Sequence, residues 1–293
     1  MDTARYKAFI AAAKGGSFMA AASEMNYTAS AVSQLISALE EELQVTLFWR
    51  SRKGVSLTSD GKRLYPLIYN IVRQEQQMYE AAAEIRGLIV GDIVIAAYPS
   101  ICAAWLPQIL HDFQEKYPGV RIRIDDSIRQ DVVDALSGGR ADVAFLTNHH
   151  DFSGEWTDLQ RNPIVALVGP DSEYAAMDAF PLADCEKIPI IQSSHGNDKD
   201  ISAIYEKYGL TPNIVYTTRN SSTAAAMVEN NMGVLMVNEL STHMWHFNVK
   251  VLPLDPPQSI MFGIAVSALS TASPAVKTFV RFTRERLSAP ERL

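Results

Sequence analysis

Cysteine is nearly absent from this chain of 293 residues: Cys102 and Cys185 are the only two, and no CxxC pair exists. A disulfide framework is excluded, and so is a zinc motif made of cysteines. Long apolar runs are missing as well. The two charge-free stretches, 93–110 and 256–276, are interrupted by prolines and polar residues. Neither supplies the roughly 20 predominantly apolar residues of a membrane span. The N-terminal apolar stretch is short and broken by Lys14, unlike a secretory leader. Also lacking are a GxGxxG turn, a P-loop, an HExxH pair and a GxSxG elbow, the usual marks of nucleotide, metal or nucleophile chemistry. A soluble, cytoplasmic, non-enzymatic chain without cofactor or bound metal is the expectation.

What is present is a large core. Apolar residues make up 47 % of the chain and charged residues 20 %, which is ordinary for a globular protein of two or three domains. The net charge of −7 is unevenly spread: residues 1–90 carry +1 and the remainder −8. An acidic total argues against a basic coat, not against a local basic patch, and the asymmetry between halves suggests two jobs.

Near the N-terminus, Tyr6, Phe9, Ile10 and Ala13 share one helical face. Gly15-Gly16 ends that helix and Ser17 is a suitable cap for the next, with Phe18, Ala21, Ala22 and Met25 inward. After the Asn26-Tyr27 turn, Thr28 caps a third helix with Val32, Leu35, Ile36, Leu39 and Leu43 on its apolar face. Three short helices with a tight turn between the second and third predict a helix-turn-helix. A common helix pair would read the same way up to this point. The polar face of the third helix favours DNA: Thr28, Ser30, Ser33, Gln34 and Ser37 carry no charge before Glu40. Short hydroxyls and an amide allow close approach to base edges. Strands at 45–49 and 55–57 then flank Arg50, Arg52, Lys53 and Gly54, a cationic wing suited to phosphate, though such loops are often merely solvated.

These residues resemble the LysR-type transcriptional regulators. The likeness is carried by Gly16-Ser17-Phe18 with Ala21-Ala22, by Ser30-Ala31-Val32-Ser33, by Leu39-Glu40 with Leu43 and Leu47-Phe48 with Arg50, and by Leu57-Thr58 with Gly61. Order and spacing match over about sixty residues. Where the family often has Gln, Pro, Arg and Gly, this chain has Ala29, Ser30, Gln34 and Gln44. The missing amide at Ala29 bears on sequence preference. The resemblance implies a DNA-reading surface of Ser17, Thr28, Ala29, Ser30, Ser33, Gln34, Ser37, Arg50, Arg52 and Lys53 on a double-stranded, pseudo-palindromic promoter site.

A long helix is expected from Thr58 to about Leu88, with Pro66 near its start. Leu64, Ile68, Ile71, Glu75, Met78, Ala82, Ile85 and Ile89 follow a heptad spacing broken only by Glu75. Either this seam packs on the second domain or it pairs two chains. The resemblance implies a homodimer through the linker helix, and a homotetramer built from it.

Beyond Gly91, strands alternate with helices, which predicts an open α/β sheet. Strands are expected at 92–97, 120–125, 142–146, 164–168, 188–191, 214–217, 234–237 and 262–266. Helices are expected after a Pro99-Ser100 turn, near 132–136, 200–208 and 222–231, and at 274–287. The resemblance implies a two-lobed domain like periplasmic solute-binding proteins. The expected organisation is a winged helix-turn-helix at 1–58, a linker helix at 59–90 and an effector domain at 91–293. Within the effector domain, lobe I takes about 91–161 and 267–293, lobe II about 162–266, and strands cross near 162–166 and 262–267.

Ligands in open sheets lie beyond the carboxyl ends of strands. This marks Pro99, Ser100, Ile101, Thr147, His149, Gln192, Ser193, His195, Thr218 and Asn220 for a small-molecule effector. Ser100 reads equally as a helix cap or an anion seat. Tyr98, Trp105 and Met236 are candidate apolar walls. The only strand-end cation is Arg219, so a strongly acidic effector is not demanded. His149-His150-Asp151 offers a metal corner or a pH-sensitive loop. His243 and His246 read as a surface helix end. Cys102 beside the cleft invites a redox reading, but such sensors usually need an activated thiol and a partner. The reading is a regulator whose promoter binding responds to an effector in the inter-lobe cleft. The alternative is a cytoplasmic solute-binding sensor without specific DNA recognition.

Overall fold

The computed structural model describes residues 3–51, 53–149, 152–194 and 198–287. Arg52, His150, Asp151 and His195 lie outside these. Two compact units divide the chain, residues 1–88 and 89–293.

In the first unit, α1 (Ala4–Gly15) stops at Gly16, whose φ of 65° lets its N–H close on Ala12 O. α2 (Phe18–Met25) begins where Ser17 Oγ accepts the Ala20 N–H. α3 (Ala29–Leu43) begins where Thr28 Oγ1 accepts the Ala31 N–H. α3 ends at Gln44 with φ 57°, in the left-handed region that favours glycine; its side-chain amide donates to Glu41 O at 2.6 Å and adds a local bond there. Phe9, fully buried, holds the helices together against Phe48 and Tyr65, with ring centroids 5.3 and 6.0 Å away.

β1 (Phe48–Ser51) and β2 (Gly54–Leu57) pair antiparallel from Phe48↔Leu57 to Ser51↔Gly54. The first wing strand therefore starts later than the 45–49 expected. The reason is the Glu40 side chain, whose Oε1 accepts the Leu47 and Phe48 N–H groups at 2.7 and 3.2 Å and takes Leu47 out of the ladder. Arg50 consequently sits in β1, not in the turn.

α4 (Ser59–Ile85) follows the Thr58 cap and runs through Pro66. Gly61 is required in its first turn, because a Cβ there would run into Leu47 O. Leu64, Ile68 and Val72 pack on the first unit's core. Glu75 accepts from Thr3 Oγ1 and pairs with Lys7, both at 2.7 Å, which accounts for the break in the heptad. Ile71, Met78 and Ile85 stand 40, 59 and 88 % exposed.

The second unit runs β3 (Gly91–Ala97), α5 (Pro99–Ala104), α6 (Leu106–Lys116), β4 (Val120–Asp126), α7 (Arg129–Ser137), β5 (Val143–Thr147), β6 (Glu155–Val168), β7 (Phe180–Pro181), β8 (Ile190–Gln192), α8 (Lys199–Tyr208), β9 (Ile214–Thr217), α9 (Ser221–Glu229), β10 (Val234–Asn238), β11 (Lys250–Val266) and α10 (Pro274–Leu287). The strand order is β4-β3-β5-β11-β6-β10-β8-β9, with β7 beside β11. Pairs β3/β4, β3/β5, β8/β10 and β8/β9 are parallel, while β11 and β6 run antiparallel to their neighbours within that path.

β6 and β11 are the two strands shared by both lobes. The first lobe packs Ile93, Ile95, Phe113, Phe145 and Phe279 together. The second has cores on both faces of its sheet, one around Ile164, Phe180 and Ile204 and one around Leu167, Ala225 and Leu235. Residues 262–265 pair with β5 and belong to the first lobe. The crossing in β11 thus lies just upstream of the expected 262–267, around Ile260, which packs against the cores of both lobes. Pro99-Ser100 is the first turn of α5, not a preceding turn, since proline suits an N1 position.

Candidate functional site

The polar face of α3 is laid out as its sequence suggests. Ala29, Ser30, Gln34 and Ser37 are exposed and Ser33 is half-buried. Ser17 and Thr28 spend their hydroxyls on helix caps. Arg50 also makes contacts within the unit. Its guanidinium donates to Glu40 Oε2 at 2.8 Å and Ser37 Oγ at 3.2 Å, and lies over the Phe18 ring at 5.2 Å. It links β1 to α2 and α3 and engages Ser37, with its side chain still 44 % exposed. Lys53 is exposed at the hairpin turn.

In the second unit, a cavity of about 490 Å³ opens at the carboxyl ends of the strands. Its wall is made of helix starts: Pro99 and Ser100 of α5, Ile128 and Arg129 of α7, Lys199 and Asp200 of α8, Asn220 and Ser221 of α9, and Asn238 with Ser241. Three of these starts are capped internally, by Asp198, Asn220 and Asn238. The starts of α5 and α7 follow Tyr98 and Ile128 and have no side-chain cap. Two serines complete the floor. Ser100 and Ser193 are each 3 % exposed and line the cavity, and neither hydroxyl has a hydrogen-bond partner among the described residues.

Beneath the floor lies a polar chain. Arg129 donates to Thr147 O at 2.6 Å, and to Thr147 Oγ1 and Tyr98 Oη at 3.1 Å. Thr147 Oγ1 donates to Asp200 Oδ1 at 2.7 Å, and His149 Nε2 meets the same oxygen at 2.6 Å. Burial, and next the charge of Asp200, push the Tyr98 hydroxyl up, so it stays protonated.

The ten residues marked for an effector separate into groups. Pro99, Ser100, Ser193 and Asn220 line the cavity. Thr147 and His149 sit in the polar chain that supports it. Ile101 is fully buried core. Gln192 is buried, its Oε1 without a partner among the described residues, and is not in the lining. Thr218 turns to donate to Asn220 O at 2.8 Å, and His195 lies outside the described residues. Of the apolar walls, only Tyr98 serves. Trp105 packs under Phe262 at 5.5 Å and Met236 is in the second lobe's core. Arg129, Lys199, Asp198 and Asp200 were missed, because reading ahead from strand ends did not reach the helix starts that follow them. Cys102 is not an activated thiol: burial, and then the charge of Asp126, push it up to about 12. His243 and His246 are exposed.

Asp198 titrates in a useful range. Burial, and then the charge of Asp200, raise it from 3.8 to about 6. The folded state therefore holds this proton more tightly than the unfolded chain. Its stabilising effect is complete below about 4 and is lost as the pH rises through 6. Asp198→Asn keeps a capping side chain and removes the charge. The variant's Tm is expected to exceed the parent's above pH 6 and to converge with it near pH 4 in a thermal-shift series. A constant offset across the series would contradict this origin.

Geometry of this kind, a winged helix-turn-helix followed by a two-lobed α/β unit with a polar cleft, defines a one-chain DNA-binding regulator with a ligand domain. Comparison with known proteins agrees. Residues 4–62 match the family of bacterial regulatory helix-turn-helix proteins, lysR family, and residues 86–288 match the LysR substrate binding domain. The chain belongs to the LysR family of transcriptional regulators and is not an enzyme. It is 27 % identical over 292 residues to the HTH-type transcriptional regulator YvbU of Bacillus subtilis, covering 99 % of this chain and 100 % of that one. Among solved structures, HinK, a LysR family regulator of Pseudomonas aeruginosa, is 26 % identical with a TM-score of 0.60, covering 97 % of this chain and 98 % of HinK. Full-length CbnR complexed with its target DNA is 18 % identical, with a TM-score of 0.70 over 98 % of this chain and 99 % of CbnR, and shares the fold. No helix among the described residues is long and apolar enough to cross a membrane.

Proposed function

We propose that this regulator binds promoter DNA through α3 and the wing, acts in the cytoplasm as a homodimer or a tetramer built from it, and responds to a small anionic effector in the cavity of the second unit. The observation that carries the effector reading is the pair Ser100 and Ser193, serines of opposite lobes that line the cavity with no side-chain hydrogen bond among the described residues. The starts of α5 and α7 line the cavity without side-chain caps, and Arg129 supplies charge. A carboxylate satisfies all three. Pairing of α4 with a second copy is supported by the exposed stripe of Ile71, Met78 and Ile85, at heptad spacing. Two-fold pairing matches a pseudo-palindromic site.

Fluorescence anisotropy of the full chain on DNA upstream of its own gene, against scrambled DNA across a salt series, tests the DNA reading. Tighter binding to the native DNA that survives moderate salt supports it; equal, salt-collapsing binding overturns it. Lys53→Ala is expected to weaken binding to both DNAs and to lower the salt slope by about 0.9 for each phosphate that is no longer neutralised. Ser33→Ala is expected to narrow the preference for native DNA instead. A thermal-shift screen of small carboxylates tests the effector seat, and Ser100→Val is expected to abolish any stabilisation found.

A further inference from the structure

The polar chain beneath the cavity and an ion pair beside it share one property: both pass from one lobe to the other. Thr147 ends β5 of the first lobe and His149 follows it, and Asp200 opens α8, whose Ile201, Ile204 and Tyr205 lie in the second lobe's core. Arg219 follows β9 of the second lobe. It reaches Asp131 Oδ2 of α7 at 3.0 Å, and Val132 and Val133 of α7 lie in the first lobe's core. Besides these two polar links, the chain passes between the lobes in β6 and β11, and Leu240, which follows β10, packs in the first lobe's core.

We propose that these contacts form a two-point clasp that holds the lobes together across the cavity: Asp200 with Thr147 and His149 at a sheltered point, and Arg219 with Asp131 at an exposed point. The two points differ in kind. Asp200 is 10 % exposed at its side chain and His149 24 %, so water competes weakly there. Arg219 and Asp131 are 61 and 47 % exposed, so this pair is screened and readily released. Asp131 is held in place by Ser127 Oγ at 2.6 Å, and Ser127 lines the cavity. Arg219 lines it too. An anion in the cavity therefore competes with Asp131 for Arg219, while the sheltered point keeps the lobes in register. The clasp rests on the cleft being the effector site only for that last step. The holding role itself needs no ligand.

The test uses the full-length chain with spin labels at Gln114→Cys on α6 and Ala203→Cys on α8, both outside the buried core. Cys185 is fully buried and the Cys102 thiol is held protonated, so both label slowly. Diluting the labelled chain with unlabelled chain removes distances between copies. A single narrow distance distribution is expected for the parent. Asp200→Asn combined with Arg219→Ala is expected to broaden it and add a longer component, and Arg219→Ala alone to do so to a smaller extent. Asp184→Asn, which breaks an ion pair with Lys187 inside the second lobe, is expected to leave the distribution unchanged. An unaltered distribution in the double variant, or the same broadening in Asp184→Asn, overturns the clasp. Arg219 is exposed, so Arg219→Ala folds even where Asp200→Asn does not. Loss of DNA response with an intact clasp would count against the regulatory reading, not against the clasp.

Discussion

Glu40→Ala is expected to unfold the DNA-binding unit at temperatures where the parent is stable, and to abolish DNA binding although Glu40 is not placed on the DNA surface. The carboxylate stands between three groups. Its Oε1 accepts the N–H groups of Leu47 and Phe48, residues 0 and 2 % exposed, and its Oε2 holds Arg50. Truncation leaves two sheltered donors without an acceptor, at about 1–3 kcal/mol each. It also frees the Arg50 link between β1 and α3. A small helical unit has little stability to spare. Glu40→Gln keeps an acceptor oxygen for the two N–H groups and should lose a smaller part of the stability. Hydrogen exchange of amides in residues 1–88, measured beside anisotropy, separates the outcomes. Normal protection in Glu40→Ala with lost binding would mean that Glu40 acts at the DNA and not in the fold.

Arg129→Ala is the second large effect, expected in the other unit. The guanidinium is 9 % exposed and donates to Thr147 O, Thr147 Oγ1 and Tyr98 Oη. Its removal strands these acceptors and leaves a void between α7 and β5. Together these cost about 2–5 kcal/mol. Arg129→Lys should not restore the parent's stability, because a single ammonium cannot fan across the same acceptors. The check is the near-UV circular dichroism melt of the second unit, read from Trp105, Trp156 and Trp245. An unchanged midpoint would show that water replaces the guanidinium without loss.

Where local chemistry decides, the sequence was readable. Ser17 and Thr28 each cap the helix that their position suggests, and the stop at Gly16 needs only the left-handed backbone of glycine. β5 announces itself as a buried run, with all five residues buried. β11 was hidden for the opposite reason. It spans Lys250–Val266 but carries three prolines and a glycine, and only its last five residues look like a strand. Its ladder is set by partners far away in sequence, which no window of local residues contains. Arg50 shows the same limit at a single side chain. In sequence it stands beside Arg52 and Lys53 and looks like part of a cationic tip. Glu40, ten residues upstream, pairs with it. The cavity was half legible: residues directly after strands were found, while Arg129, Lys199 and Asp200 depend on which helix starts converge, a property of the tertiary fold.

The strand order also governs how the second unit is assembled on a ribosome. Every strand of the second lobe lies between residues 155 and 261, inside a first lobe whose sheet is completed only when residues 262–265 pair with β5 and α10 packs behind them. The lobe that begins later in the chain therefore has all of its parts first. Until the last thirty or so residues emerge, β5 presents an open, mostly apolar edge, and this interval is when nascent chains are most exposed to wrong pairing.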